Sequence, residues 1–286
     1  MPNHAILNCI QPVLDELTPS FVTTQLRQHI PAQQPYFAQI EQCFLGLTRQ
    51  RHSEETLRCF FHSWSQTNNS AMTVSGLSNR LSKIKHDGCA IHDEPRLLSA
   101  IASLNRIADE DLAVVGSVLH SELFYTMAST ISGDDQWQSR RYLSEQAEEF
   151  KRWKDHQSLR VKDPVIGLLT TLVHEIYTHG EVEYILPLFT QLLEQHFDFE
   201  PFQRNRTLAW IKVHCGGTEL QHFLHAVSAV EHYCAAMNVD ITEYDIAAII
   251  DGYVQRKAEV MNRLSEAFPN QVMPNAAKSE PAVAIS

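Results

Sequence analysis

The chain has 286 residues, 44% hydrophobic and 20% charged, which is enough to bury a sizeable core in one large domain or two small ones. A formal net charge of -11, with no Lys/Arg cluster, argues against a nucleic-acid or anionic-membrane partner, since either needs a basic face. No apolar run is long enough to span a bilayer, and the opening MPNHAILNCIQPVLDELT lacks the basic start and cleavage site of a signal peptide. Cys9, Cys43, Cys59, Cys89, Cys215 and Cys234 form no C-x-x-C pair, so reduced thiols in a cytoplasmic protein are expected.

Apolar residues recur at steps of three and four, and alternating strand-like runs are almost absent, which predicts an all-α protein. In chain order the expected helices are 20–30, 35–66, 71–86, 95–131, 135–157, 164–197, 202–237 and 243–267. Asn68, Asn69 and Ser70 mark a turn, as does SGDD at 132–135. Asp163 before Pro164 reads as a helix cap followed by proline at the first helical position. Thr242 with Asp245 resembles a capping box in which Asp takes the usual Glu position. The residues after Phe268 carry no helical stripe and are expected to be disordered. The simplest organisation is one helical-bundle domain over 1–268, its pattern weakest over 1–90, with a tail at 269–286.

Three of these helices carry polar residues where apolar ones belong. On 95–131 the set Glu110, Ala113, Ser117, His120, Phe124, Met127 and Ile131 advances by three or four at each step. The bland reading is a solvated acidic corner beside a packed His120. On 164–197 the stripe Leu169, Leu172, Ile176, His179, Glu183, Leu186, Thr190 and Leu193 has Glu183 at its middle, whereas Glu175 and Glu181 fall off it. The bland reading, a surface glutamate at the stripe's margin, fits Glu183 less well than Glu175 because of its central placement.

On 202–237 the stripe Leu208, Ile211, Cys215, Glu219, His222, Ala226, Val230 and Tyr233 puts Glu219 and His222 three apart, able to reach one point. His214 precedes Glu219 by five residues, about 140° round an ideal helix. Gly216-Gly217 lies between them, and a π-bulge there would bring His214 into line. His225, one turn past His222, is the reserve candidate. The alternative pairs Glu219 with a buried arginine and leaves the histidines as polar flanks. Taken together, inward carboxylates and imidazoles suit one or two iron or manganese ions. Zinc would be plausible with fewer carboxylates, and a thiolate site does not fit without paired cysteines.

The order of these residues resembles the haem-oxygenase-like diiron oxidases, in which non-haem iron replaces the porphyrin of the haem oxygenase fold. EDLAVVGSVLH supplies Glu110 and His120, GEVEYILP supplies Glu183, and HCGGTELQH supplies His214, Glu219 and His222. The resemblance covers about residues 95–265. It departs from the family in three ways: the late acid follows His214 by five residues rather than four, it is Glu rather than Asp, and no clear early carboxylate stands between 56 and 86. Asp87 and Glu94 are the nearest.

The resemblance implies a haem-oxygenase-like bundle that activates dioxygen to oxidise a C–H or N–H bond of a small organic molecule. Two iron ions are implied, the second labile, with manganese an alternative and no haem. Glu183 would be the bridging, catalytic ligand, the other five would complete the set, and Phe124, Met127 and Phe223 would line a dry pocket. Dioxygen, a small-molecule substrate and an external electron donor are the partners so implied; monomer and homodimer both stay open. The rival readings are a haem-binding or thiaminase-like relative, the latter using Cys215 as nucleophile, and a non-enzymatic helical metal-binding or partner-binding protein.

Overall fold

A computed structural model describes residues 5–68, 70–113 and 118–268. Among them there is no strand, and thirteen α-helices with three short 3-10 turns carry the fold. The expected tail at 269–286, Asn69 of the first turn and Ser117 of the first stripe lie outside the described residues.

The first half of the chain contains α1 (Ala5–Glu16), α2 (Phe21–Ala32), α3 (Gln34–Thr48), α4 (Glu54–Asn68), α5 (Ala71–Ile84), α6 (Glu94–Asp111) and α7 (His120–Ser132). The second half contains α8 (Glu145–Leu159), α9 (Pro164–His196), α10 (Pro201–Thr207), α11 (Ala209–His214), α12 (Thr218–Met237) and α13 (Ile246–Ser265). Helices α1 to α5 pack into the same bundle, and α1 is a helix that the apolar periodicity did not reveal. Its Ile6, Ile10 and Leu14 are buried in the same apolar core as the rest.

Three expected long helices are broken. The 35–66 segment is α3 and α4, the 95–131 segment is α6 and α7, and the 202–237 segment is α10, α11 and α12. Local chemistry ends or starts several of these helices. Asp163 accepts from the Val165 N–H and starts α9 as expected. Ser70 stands at the N-cap position of α5 without a side-chain cap bond, and Gly133, at φ 93°, closes α7 in the left-handed conformation. The proposed Thr242–Asp245 box is not formed. Asp245 is itself the cap of α13, accepting from the Ala248 N–H, while Thr242 sits in a 3-10 turn capped by Asp240.

Helix α9 is the axis of the bundle. It packs against α1, α3, α5, α8, α11, α12 and α13 and is buried on every side from Val165 to Ile185 apart from Ile166 and Glu183. A helix apolar all round belongs in a protein interior. Gly180 is where α1 approaches it most closely, since a Cβ there would lie 2.6 Å from Ile10 Cγ1. Helix α12 packs against both α9 and α6, so carboxylates and imidazoles from these three helices face one interior region.

Candidate metal centre

The last turn of α6 carries Asp109, Glu110 and Asp111 at the negative end of the helix dipole, where acids are disfavoured. The chain then leaves the helix through Leu112 and Ala113, the latter at φ 56°, and re-enters one at His120. This break puts Asp111 rather than Glu110 beside His120: His120 Nδ1 lies 2.9 Å from Asp111 Oδ1. The two residues come from separate helices, not from one face of a continuous helix.

The glycines act at the second break. Helix α11 ends at His214, Cys215 is extended, and Gly216 adopts φ 74°, after which α12 begins at Thr218. This is a break rather than the expected π-bulge, and it too turns His214 inward. His214 Nδ1 donates to the Trp210 carbonyl at 2.6 Å, leaving Nε2 facing Asp111 Oδ1 at 3.8 Å and Glu219 Oε1 at 3.7 Å. Glu219 Oε1 is also 3.7 Å from His222 Nδ1, and Glu175 Oε2 is 3.8 Å from that same nitrogen.

Two groups of donors result, Asp111–His120–His214 and Glu175–Glu219–His222, each with ligand atoms within 4.8 Å of one another. Glu219 stands between them. Its charged neighbours are histidines, not a buried arginine.

Burial makes this arrangement costly without a compensating charge. Glu175 and Glu219 are 1% and 2% exposed, and Glu175 Oε1 and Glu219 Oε2 are buried with no hydrogen-bond partner. Burial, then the charges of Glu219 and Asp111, pushes the Glu175 carboxyl well above the usual range. Burial alone would lower His222, but pairing with Glu219 and the charges of Glu175 and Asp111 outweigh it and push His222 up to about 10. Burial would raise Asp111, yet its bond to His120 and the nearby His214 hold it well below the carboxylate range.

The buried acid Glu181, one turn and a half along α9, makes the contrast clear. Lys257 Nζ lies 2.9 Å from its Oε2, Trp64 Nε1 donates to Oε1 at 3.0 Å, and the Tyr177 hydroxyl also donates to it. Glu181 is fully answered by protein groups; Glu175 and Glu219 are not. A mixed carboxylate–imidazole set with unpartnered buried oxygens suits divalent cations, which compensate such charge directly.

The other candidates lie elsewhere. Glu183 accepts a hydrogen bond from the Gly216 N–H, so it anchors the break beside His214 and belongs to neither donor group. Glu110 has a half-exposed side chain and accepts from His222 Nε2 at 3.0 Å, standing behind the histidine. That bond leaves His222 Nδ1 as the lone pair facing Glu175 and Glu219. His225 is partly buried and outside both groups. Sequence periodicity missed Asp111 and Glu175. A signal for each was present: three consecutive acids at a helix end, and an acid in a helix with no polar face.

A cavity of about 440 Å³ opens onto these residues. Asp111, His120, Glu175, His214 and Glu219 line one part, and Phe124, Tyr125, Trp137 and Trp210 contribute aromatic walls. Phe124 is therefore at the cavity, whereas Met127 and Phe223 are fully buried core residues that do not line it. Cys215 donates to the Val182 carbonyl at 3.4 Å, and burial, then Glu183 and Glu219, push its thiol up to about 12. A thiol so disfavoured as thiolate is a poor nucleophile.

No family model matches the sequence, and no curated protein matches it. Among solved structures, a TenA homologue from Pseudomonas syringae pv. tomato superposes with a TM-score of 0.61 at 12% identity, covering 85% of this chain and 91% of that one. At that identity the likeness speaks for the fold alone. The chain has a TenA-type all-helical fold, related to the haem oxygenase-like bundles.

Proposed function

We propose that Asp111, His120 and His214 hold one metal ion and that Glu175, Glu219 and His222 hold a second, with Glu219 between them. The metal is iron, with manganese the alternative, and the protein is an oxidoreductase. The single observation that carries this reading is Glu219, whose Oε1 lies 3.7 Å from both His214 Nε2 and His222 Nδ1 while its Oε2 has no partner. When bound, two ferrous ions supply the reduction of dioxygen and the oxidation of a C–H or N–H bond in a neighbouring small molecule. Insertion of one oxygen atom calls for two further electrons, which an external donor provides.

The chain's own residues prepare the site. Trp210 and Glu110 fix the tautomers of His214 and His222, so that each presents a lone pair inward. The aromatic cavity walls give the substrate an apolar surface. The cavity also separates this reading from a metal-storage or partner-binding role, neither of which needs a 440 Å³ cavity beside the ligands.

Iron loading under argon followed by metal analysis and exposure to oxygen tests the proposal. Bound iron, an absorbance change on oxygenation and loss of both in Glu219→Ala are expected. A parent protein that binds no iron, or a Glu219→Ala protein that binds it as well, would overturn it.

A further inference from the structure

Two polar atoms at the cavity remain without partners although no metal ligand role is open to them. Asn68 Nδ2, at the end of α4, and Thr178 Oγ1, on α9, are buried and make no hydrogen bond, and both residues line the cavity. Thr178 is 4% exposed and lies one turn beyond His174 and Glu175. A helical threonine ordinarily returns its hydroxyl to a carbonyl one turn back, as Thr170 does to Ile166, and Thr178 does not. Its hydroxyl is free for another molecule.

The amide of Asn68 is held in one orientation. Lys257 Nζ donates to Asn68 Oδ1 at 3.0 Å, and an ammonium can only donate, so the contacted atom is the carbonyl oxygen. Nδ2 therefore presents N–H to a ligand. Lys257 is itself fixed, by Glu181 at 2.9 Å and Thr67 Oγ1 at 2.7 Å, and will not turn to face a substrate. Buried donors left without acceptors are rare in native interiors, and two at one cavity call for a ligand.

Charge narrows the class. Among the described residues the lining contains no lysine or arginine; its formal charges are Asp111, Glu175 and Glu219. The proposed cations would offset those acids and repel an ammonium. A carboxylate would be drawn to the cations rather than to Asn68 and Thr178, whose one amide and one hydroxyl are too little to offset its desolvation. An ammonium would find the Asn68 oxygen already taken by a lysine. An uncharged acceptor meets neither penalty, and Phe124, Tyr125, Trp137 and Trp210 suit a flat apolar body.

We propose that the cavity binds an uncharged, flat substrate bearing a carbonyl-type acceptor, an amide or ketone, with Asn68 Nδ2 as its anchoring donor and Thr178 Oγ1 as a second hydrogen-bonding group. This deepens the oxidoreductase reading and rests on it for the word substrate; the recognition itself rests on the cavity.

Three probes of matched size, benzamide, benzoate and benzylamine, are titrated into the Mn(II)-loaded full chain, with quenching of tryptophan fluorescence as readout. Benzamide is expected to bind at least tenfold tighter than benzylamine, and its affinity, unlike that of benzoate at the metal, is expected to depend on Asn68. Asn68→Asp keeps the oxygen that Lys257 needs but removes the donor, and is expected to weaken benzamide about tenfold; Thr178→Val should weaken it severalfold. Tighter binding of benzylamine, or unchanged benzamide affinity in folded Asn68→Asp, would overturn the proposal. Metal content is measured on the same samples. Loss of metal from the parent with benzamide selectivity kept would count against the metal centre alone, while full metal content without selectivity would count against the recognition alone.

Discussion

Glu181 and Glu219 are both buried acids, and their partners separate structure from function. Glu181 is enclosed by Lys257, Trp64 and Tyr177. Removing its charge leaves the Lys257 ammonium uncompensated in the core, so Glu181→Ala should cost about 3–5 kcal/mol, read by chemical denaturation. Glu219→Ala removes an acid whose second oxygen has no partner, so it should cost metal first, the metal-free fold losing only what its pairing with His222 contributes. Glu183→Ala should keep its metal, since Glu183 bonds the Gly216 N–H instead, and lose about 0.5–1.5 kcal/mol of stability. Metal analysis of the two variants separates these roles. His222 adds a pH dependence. Its folded-state value is raised to about 10, so with side chains alone its protonation stabilises the fold below about 6.5 and that contribution is lost as pH rises through about 10. A cation must displace that proton. The rise in melting temperature on adding Mn(II) should therefore be larger at pH 8 than at pH 6, and an equal or smaller rise at pH 8 would contradict the assigned ligand.

Helix breaks, rather than helices, organise the candidate centre. Periodicity marked most helices because an amphipathic stripe leaves a repeating record, and it marked Glu219 and His222 because α12 has such a stripe. It failed on α9, where burial on all sides leaves no stripe to interrupt, so Glu175 looked misplaced and Glu183 central. It failed again at 112–119, where no glycine or proline before Gly116 announces that α6 ends at Asp111 and Ala113 takes a positive φ. The Gly216-Gly217 pair was legible as a device to redirect His214, though not as a complete break. Gly216 has open space around it but a φ of 74°, so the cost of a side chain there is conformational. Gly216→Ala should destabilise by about 1–2 kcal/mol and weaken metal binding through His214. Calorimetry with and without Mn(II) measures both, and an unshifted melting temperature would contradict the left-handed break.

At the scale of the molecule, one apolar core runs through all the major helices, and no described helix is long and apolar enough to cross a membrane. The two donor groups sit at the axis of that core, between α6, α9 and α12, where unpaired carboxylates weigh on the stability of the whole chain. A cation held there at a hundred times its dissociation constant stabilises the fold by about 2.7 kcal/mol for each site. Stripping metal should accordingly lower the melting temperature as a single cooperative transition, and a chelator without effect would contradict a central site. The most direct measurement is the number of ferrous ions bound per chain, by anaerobic titration, in the parent and in Glu219→Ala. Two ions in the parent, with binding at both sites weakened in the variant, is the result expected from an acid shared by both groups. No binding in the parent, or two ions undiminished in the variant, would contradict it.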